Sequence, residues 1–128
     1  MPEKFTVEII SPDGTLLKSE VSEVIIPSYE GEMGILKEHI PLITFLRPGI
    51  IKIKDNEEKS FFVEEGTVEF FDNKLLVLST SVKNLKNLKT EKIKDMINET
   101  ESKILNNEIN DKQRYILNHK IDTLKQIN

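Results

Sequence analysis

The stretch GEMGILKEHIPLITFLRPG, residues 31–49, has the most unusual composition in this 128-residue chain. It holds three Gly, two Pro, one of the two His and one of the two Arg. Strand-like runs flank it, EVIIPSYE at residues 23–30 and IIKIK at residues 50–54. Gly and Pro between two such runs predict a loop. Because loops held by a rigid scaffold often carry function, this segment is the first candidate site.

The sequence on both sides of this segment predicts short β-strands as far as about residue 84. Phe5–Ile9 alternates apolar and polar residues, as a half-buried strand does. Turn signals at Ser11–Gly14 and Asp72–Asn73 separate strands from one another. Short strands at intervals of roughly ten residues are typical of a sandwich or barrel. The further strands are expected at residues 24–26, 50–53, 60–63, 67–71 and 75–78.

The hydrophobic period changes at Thr90, after which the sequence contains neither Pro nor Gly. Apolar residues recur at helical spacing over residues 93–105 and again over residues 116–127. We expect Thr90 to be the N-cap of the first helix, and Asn110 with Gln113 to form a capping box for the second. Two such helices with a short connection form an antiparallel hairpin. Because isolated helices of about 16 residues are marginal in water, the hairpin needs the β-domain or a partner to stay folded.

The predicted fold class is mainly β with a C-terminal α part. An N-terminal β-sandwich over residues 1–84 is followed by an antiparallel two-helix hairpin over residues 85–128. The charges support this division, since the first part carries 9 basic and 15 acidic residues and the second 9 basic and 7 acidic. Neither part is basic enough to indicate nucleic-acid binding. We expect no signal peptide and no membrane span, because the apolar runs fall far short of ~20 residues.

The residues give little support to enzyme chemistry. The chain contains no Cys, which excludes thiolate catalysis and Cys-based metal sites. His39 and His119 lie far apart in the sequence, and neither has a spaced His partner. Residues 31–34 lack the GxxxxGK[ST] pattern of a phosphate loop. We therefore expect no catalytic residue, no cofactor and no metal; the alternative is a small enzyme with a cleft between sandwich and hairpin, which strongly shifted carboxylates would indicate.

Three short motifs carry a family resemblance. Residues 30–35 read EGEMGI, residues 38–44 read EHIPLIT, and residues 48–49 read PG. In this order they resemble the motifs EGE(L/M)GI, GHAPLLT and PG of the epsilon subunit of the F-type proton-translocating ATP synthase. Glu38 stands where that family usually has Gly. The chain also contains no Ala, although family hairpins are rich in it.

The resemblance implies a non-catalytic rotor subunit clamped between the gamma shaft and the membrane ring of c subunits. Such a subunit helps to couple proton flow to ATP synthesis. The resemblance implies that Glu32 and Met33 face the c ring, and that Ser11, His39 and Pro41 face gamma. It also implies a position peripheral to a membrane. The composition and the absence of a visible transit peptide favour the cytoplasmic side of a bacterial inner membrane, with a plastid-encoded source as the alternative. The remaining alternative is an adaptor of an unrelated complex built from the same sandwich and hairpin.

The resemblance further implies that the hairpin is a regulatory element. In the family it can fold against the sandwich, or extend along the shaft and block ATP hydrolysis; in the extended position, basic residues of its second helix transiently meet acidic residues of the alpha/beta catalytic head. The corresponding basic residues here are Lys112, Arg114, Lys120 and Lys125.

Some members bind ATP on the hairpin through a motif of the form (I/L)DxxRA. The corresponding segment here is LKTEKI, residues 88–93. Lys89 replaces the Asp, Lys92 the Arg and Ile93 the Ala. We therefore predict weak or absent ATP binding.

Overall fold

The computed structural model describes residues 3–127 and confirms a mainly β fold with a C-terminal helical hairpin. Within these residues the chain forms ten strands, a single 3-10 turn at Leu85–Asn87 and two α-helices. The strands are β1 (Phe5–Ser11), β2 (Gly14–Val21), β3 (Glu23–Ser28), β4 (Gly31–Leu36), β5 (Leu42–Leu46), β6 (Gly49–Lys54), β7 (Glu58–Val63), β8 (Gly66–Phe71), β9 (Lys74–Ser79) and β10 (Val82–Asn84), and the helices are α1 (Thr90–Ile104) and α2 (Asp111–Ile127).

Nine of the ten strands follow one continuous path, and β4 pairs with β3 beside it; together they form two five-stranded halves. The first half, here called the hairpin-bearing sheet, has the order β4, β3, β6, β7, β10. The second half, the open sheet, has the order β5, β8, β9, β1, β2. The pairing of Ser28 with Leu46 joins β3 to β5 between the halves. Strands β1 and β9 are parallel, whereas the other paired strands run antiparallel.

The inward side chains of both halves share one hydrophobic core. In β1 the predicted alternation is observed, because Phe5, Val7 and Ile9 are each at most 2% exposed. Phe5 meets Phe70 of β8 edge to face, with ring centroids 5.6 Å apart. The core also takes side chains from the hairpin-bearing sheet, among them Ile51 of β6. Two sheets that bury their inner faces against each other form the expected sandwich.

The hairpin covers the outward face of the hairpin-bearing sheet. Phe62 lies between two inward residues of β7, so its side chain points outward. It is buried in a second, smaller core with Ile93 and Met96 of α1 and Leu124 of α2. Ile50, opposite Phe62 on β6, packs against the same cluster. The helices therefore bury their apolar stripes against the sandwich.

The capping box of the second helix is confirmed. The Asn110 backbone N–H donates to Gln113 Oε1 at 2.9 Å, and the Gln113 backbone N–H donates to Asn110 Oδ1 at 2.7 Å. The N-cap expected at Thr90 is wrong by one residue: Lys89 is the N-cap, in an extended conformation and without a side-chain cap hydrogen bond. Thr90 is instead the first helical residue, since its backbone already follows the helix.

The prediction of one loop over residues 31–49 is also wrong. Gly31–Leu36 forms β4 along the whole of β3, and Leu42–Leu46 forms β5 along β8. The physical reason is that a neighbouring strand supplies the hydrogen bonds, which overrides the weak strand preference of Gly. The irregular part shrinks to residues 37–41 and 47–48. Strands β2 and β10 were likewise not predicted.

Candidate functional site

The outward face of the open sheet carries large apolar side chains that the rest of the chain leaves uncovered. Ile43 is 77% exposed, Phe45 61%, Phe71 65% and Leu78 42%. Strand register places Phe45 opposite Thr67, and Thr67 opposite Leu78, so these side chains share one side of the sheet. We call the surface formed by Ile43, Phe45, Phe71 and Leu78 the open face. Several large apolar side chains exposed on one side of a sheet, among polar ones, indicate an interaction site.

Sequence reasoning missed the open face, although β5 carries a signal for it. The strand reads LITFL, with apolar residues at four of five positions. Leu46 is buried in the core and Leu42 packs against it, whereas Ile43 and Phe45 point away from it. A strand that is apolar on both faces is typical of one covered on both sides. Here one side has no cover within residues 3–127, which leaves it for a partner.

The three predicted gamma contacts lie at opposite ends of the open sheet. Ser11 ends β1 next to the β1–β2 turn, where its Oγ accepts from the Asp13 backbone N–H at 3.3 Å. His39 and Pro41 precede β5, level with the start of β1. Five strand residues, roughly 17 Å, separate the two ends. The structure therefore does not bring these residues together; it places them at two ends of the open sheet.

The loop that carries His39 is held by a reciprocal contact. Glu38 has a φ of 68°, and its backbone N–H donates to Asn73 Oδ1 at 2.8 Å. Asn73 Nδ2 donates back to Glu38 Oε1 at 2.7 Å. His39 Nδ1 donates to the Ile40 carbonyl oxygen at 2.7 Å, and its ring packs edge to face on Phe70, with centroids 5.9 Å apart. His39 is thus a positioned side chain of the loop.

The two predicted c-ring residues differ in accessibility. Both belong to β4, an edge strand that pairs with β3. Glu32 is exposed, whereas Met33 is half-buried and packs against the main core. Successive strand residues point to opposite faces, which explains the difference. Of the pair, Glu32 alone presents its side chain outward.

The second helix attaches to the sandwich through polar and aromatic contacts. Arg47 Nη1 donates to the imidazole of His119, and Lys120 Nζ lies 2.7 Å from Glu64 Oε1. Tyr115 stacks on Tyr29 with ring centroids 5.9 Å apart. In addition, the Thr123 hydroxyl, which lies 2.8 Å from the His119 carbonyl oxygen of its own helix, is 3.4 Å from the Pro48 carbonyl oxygen. These contacts surround the apolar packing of Leu124.

A cavity of about 330 Å³ lies beside this attachment. Arg47 and His119 line it together with Asp122 of α2, and Glu32 and Lys52 complete its charged lining. Burial lowers the pKa of His119 below its ordinary value of 6.5, and the adjacent Arg47 charge lowers it further, while Asp122 acts in the opposite direction. His119 therefore favours its neutral form when the hairpin is docked.

The four basic residues predicted for regulation have different environments. Lys120 is paired with Glu64, and Arg114 Nη1 donates to the Ile104 carbonyl oxygen at 2.9 Å, where it satisfies the end of α1. Lys112 and Lys125 are exposed. A partner that binds all four basic side chains would have to replace the contacts that Lys120 and Arg114 make within the chain.

Residues 3–127 contain no group of three or more His, Asp or Glu side chains placed to hold a metal ion. Neither helix in this range is long and apolar enough to cross a membrane.

Tyr29 has a raised pKa, caused first by burial and then by the negative charge of Glu65. Its hydroxyl therefore stays protonated near neutral pH.

Comparison with known proteins gives a consistent result. Residues 4–84 match the model of the family described as ATP synthase, Delta/Epsilon chain, beta-sandwich domain. The ATP synthase epsilon chain of Pelagibacter ubique strain HTCC1062 is 45% identical over 130 aligned residues, covering 100% of both chains. The ATP synthase epsilon chain of Dichelobacter nodosus strain VCS1703A is 37% identical over 74% of this chain and 68% of its own length.

Two solved structures share the fold at low sequence identity. One is a chain of the Euglena gracilis mitochondrial ATP synthase, from a cryo-EM structure of OSCP, F1 and c-ring in rotational state 1. It has a TM-score of 0.79 and 20% identity, covering 98% of this chain and 82% of that one. The other belongs to the central stalk and c-ring of the Tetrahymena thermophila mitochondrial ATP synthase, with a TM-score of 0.70, 15% identity and coverage of 97% and 96%.

Proposed function

This chain belongs to the ATP synthase delta/epsilon family, and on that premise we propose that it is the non-catalytic epsilon subunit of a bacterial F-type ATP synthase. It joins the gamma shaft to the c ring in the central stalk and helps to couple proton flow to ATP synthesis. The observation that carries the proposal is the full-length match to an ATP synthase epsilon chain. A subunit of this kind lies on the cytoplasmic side of the inner membrane and is peripheral to it. The adaptor alternative has no comparable support.

The gamma subunit is the proposed occupant of the open face. The open face combines large exposed apolar side chains, such as Phe45 and Leu78, with the exposed carboxylate of Glu69. Ser11 and His39 lie near the two ends of the same sheet. A mixture of large apolar and polar side chains is ordinary at a protein interface. The hairpin occupies the other sheet, so gamma can bind here while the hairpin stays docked.

The c ring is the proposed partner of the β4 edge. Glu32 is the exposed charged side chain of β4, and an edge strand resists unwanted strand pairing when it carries charge. An exposed carboxylate suits the polar loops of a rotating ring, because surface ion pairs contribute little individually. We propose that Met33 acts indirectly, by fixing β4 against the core.

The hairpin is the proposed brake on ATP hydrolysis. Its apolar contact with the sandwich centres on one small cluster that includes Phe62, Ile93 and Leu124. The main core does not include hairpin residues, so the sandwich can stay folded when the hairpin leaves it. Two packings that differ by a few kcal/mol are what a switch requires. Lys112, Arg114, Lys120 and Lys125 then become available to the acidic catalytic head.

The decisive experiment is ATP hydrolysis by a catalytic head lacking epsilon, taken from the same organism and titrated with this protein. A version ending at Asn87 is run beside it. We expect saturable inhibition by the full chain and binding without inhibition by the short version. Failure of both versions to bind would overturn the proposal. Binding by both without inhibition would retain the stalk role and refute the brake.

ATP binding by the hairpin is proposed to be weak or absent. Lys89 is the N-cap of α1 and Lys92 lies in its first turn, so neither an Asp nor an Arg is available at the family positions. Calorimetry on the isolated chain tests this, and micromolar affinity for ATP would contradict it.

A further inference from the structure

The contact between Arg47 and His119 joins two elements that are far apart in sequence. Arg47 lies between β5 and β6, and its Nε donates to the Ser28 carbonyl oxygen at 2.8 Å. Its Nη1 donates to the His119 ring, with Nδ1 the nearer nitrogen and Nε2 3.3 Å away. The guanidinium is therefore held by the sandwich, while its acceptor moves with α2.

A guanidinium donates hydrogen bonds and accepts none. The ring nitrogen that faces Arg47 must therefore be unprotonated. If His119 takes up a proton, that nitrogen stops accepting, and two cations face each other in a half-buried position. Two positive charges at hydrogen-bonding distance repel each other, which disfavours protonated His119 in the docked arrangement. Protonation of His119 therefore favours undocking of α2.

We propose that Arg47 and His119 form a pH-sensitive latch, in which neutral His119 holds α2 against the sandwich and protonated His119 releases it. We call this pair the latch. Because both residues belong to this chain, the latch can be tested on the isolated protein.

The surroundings of His119 contain both signs of charge. On α2, Asp122 faces the ring from the next turn, and Tyr115 packs edge to face on it with centroids 4.4 Å apart. From the sandwich, Arg47 faces the ring, and Glu32 and Lys52 line the adjoining cavity. Burial and Arg47 together outweigh Asp122, since the net effect on the pKa of His119 is a decrease. Lys120, the next residue on α2, is paired with Glu64.

The sign of the pH dependence follows from this decrease. The undocked helix exposes His119, whose pKa is then near its ordinary value of 6.5, and docking lowers it. Docking is therefore strongest above the undocked pKa and weakens as the pH falls toward the docked pKa. Each unit of difference between the two values changes the ratio of docked to undocked chains by about tenfold. Mild acidification thus favours release.

In the assembled ATP synthase, the effect of the latch depends on the proposed role of the hairpin as a brake. If the hairpin is the brake on hydrolysis, a fall in cytoplasmic pH frees it from the sandwich. The same chain then senses acidity through His119, the titratable member of the latch near neutral pH.

Distance measurement between two spin labels on the full chain tests the latch. Because the chain has no Cys, Glu57→Cys and Asn118→Cys give two unique label sites, both exposed, one on the sandwich and one on α2. We expect one docked distance at about pH 8, with a second, broader population growing below about pH 6.5. An unchanged distribution down to about pH 5 would overturn the proposal.

Three variants identify the group responsible. His119→Gln keeps a hydrogen-bonding side chain that does not titrate, so the transition should disappear. Arg47→Gln leaves His119 titratable and removes the facing cation, so a smaller fraction should undock on acidification. His39→Gln is the control at the other His, and its spin-label distances should change with pH as they do in the parent chain. An undiminished transition in both latch variants would refute the proposal. A transition that follows these expectations in a protein that fails to bind the catalytic head would retain the latch and reject the proposed function.

Discussion

Glu38 occupies a backbone conformation that suits glycine better than any other residue. Its φ of 68° lies in the left-handed region, where an L-residue costs roughly 1–2 kcal/mol. The resembling motif has Gly at this position, and the structure explains why. Asn73, itself left-handed with a φ of 57°, supplies the side-chain contact that offsets the strain. Glu38, which stands where the motif has Gly, therefore has a hydrogen-bond partner that lies 35 residues further along the chain.

Substitution of Glu38 separates strain from hydrogen bonding. Glu38→Ala keeps the left-handed backbone and loses the hydrogen bond from Asn73 Nδ2. We therefore expect its free energy of unfolding to fall by about 0.5–1.5 kcal/mol. Glu38→Gly loses the same bond but relieves the strain, so its stability should stay within about 0.5 kcal/mol of the parent chain. Urea unfolding measures both. Equal destabilisation by the two variants would contradict this account.

Gly66 is required by close approach of the neighbouring strand. A Cβ there would lie 2.1 Å from the Leu78 carbonyl oxygen and 2.9 Å from Ser79 Cα, which are backbone atoms that cannot turn aside. We expect Gly66→Ala to cost at least about 2 kcal/mol by overpacking. Gly34→Ala is the matched control in β4, where the nearest atom is Glu23 Oε2 at 3.5 Å and little change is expected. Thermal unfolding compares them; similar melting temperatures would show that β9 can shift.

Among the elements, those with a strict apolar period could be predicted from sequence, and those defined by their partners could not. The alternation of Phe5–Ile9 and the two helical stripes gave β1, α1 and α2. Strand β4 contains two Gly, and its pairing with β3 decides its structure. Sequence reasoning also missed the latch, because Arg47 and His119 are 72 residues apart and neither belongs to a local pattern.

The hairpin should undock as a unit when its central packing is removed. Leu124 is fully buried between α2 and the sandwich, so Leu124→Ala should weaken docking by about 2–5 kcal/mol. Leu105→Ala is the control, since Leu105 is 81% exposed and its loss should cost less than about 0.5 kcal/mol. Hydrogen exchange reports the outcome: amides of α1 and α2 lose protection in Leu124→Ala while those of β1 and β9 keep it. Loss of protection in both parts together would show one cooperative unit.

At the scale of the whole molecule, the two halves of the sandwich have different outer faces. One is covered by the chain's own hairpin through Phe62, and the other leaves Phe45 and its neighbours exposed. An uncovered face with large apolar side chains, on one side only, indicates an interaction site. The proposed arrangement gives the open face to gamma and keeps the hairpin side free to open.

The open face can be tested by one substitution and a control of the same chemical kind. Phe45→Ser removes a side chain that is 61% exposed on the open face, so folding stability should change little while gamma binding weakens at least tenfold. Leu36→Ser removes a 55% exposed apolar side chain from β4, on the other sheet, and should leave gamma binding unchanged. Titration of a gamma-containing catalytic head that lacks epsilon gives both affinities. Because both variants lose exposed apolar surface, a difference between them reports the position of the contact and not general hydrophobicity; equal affinities would place gamma elsewhere on the sandwich.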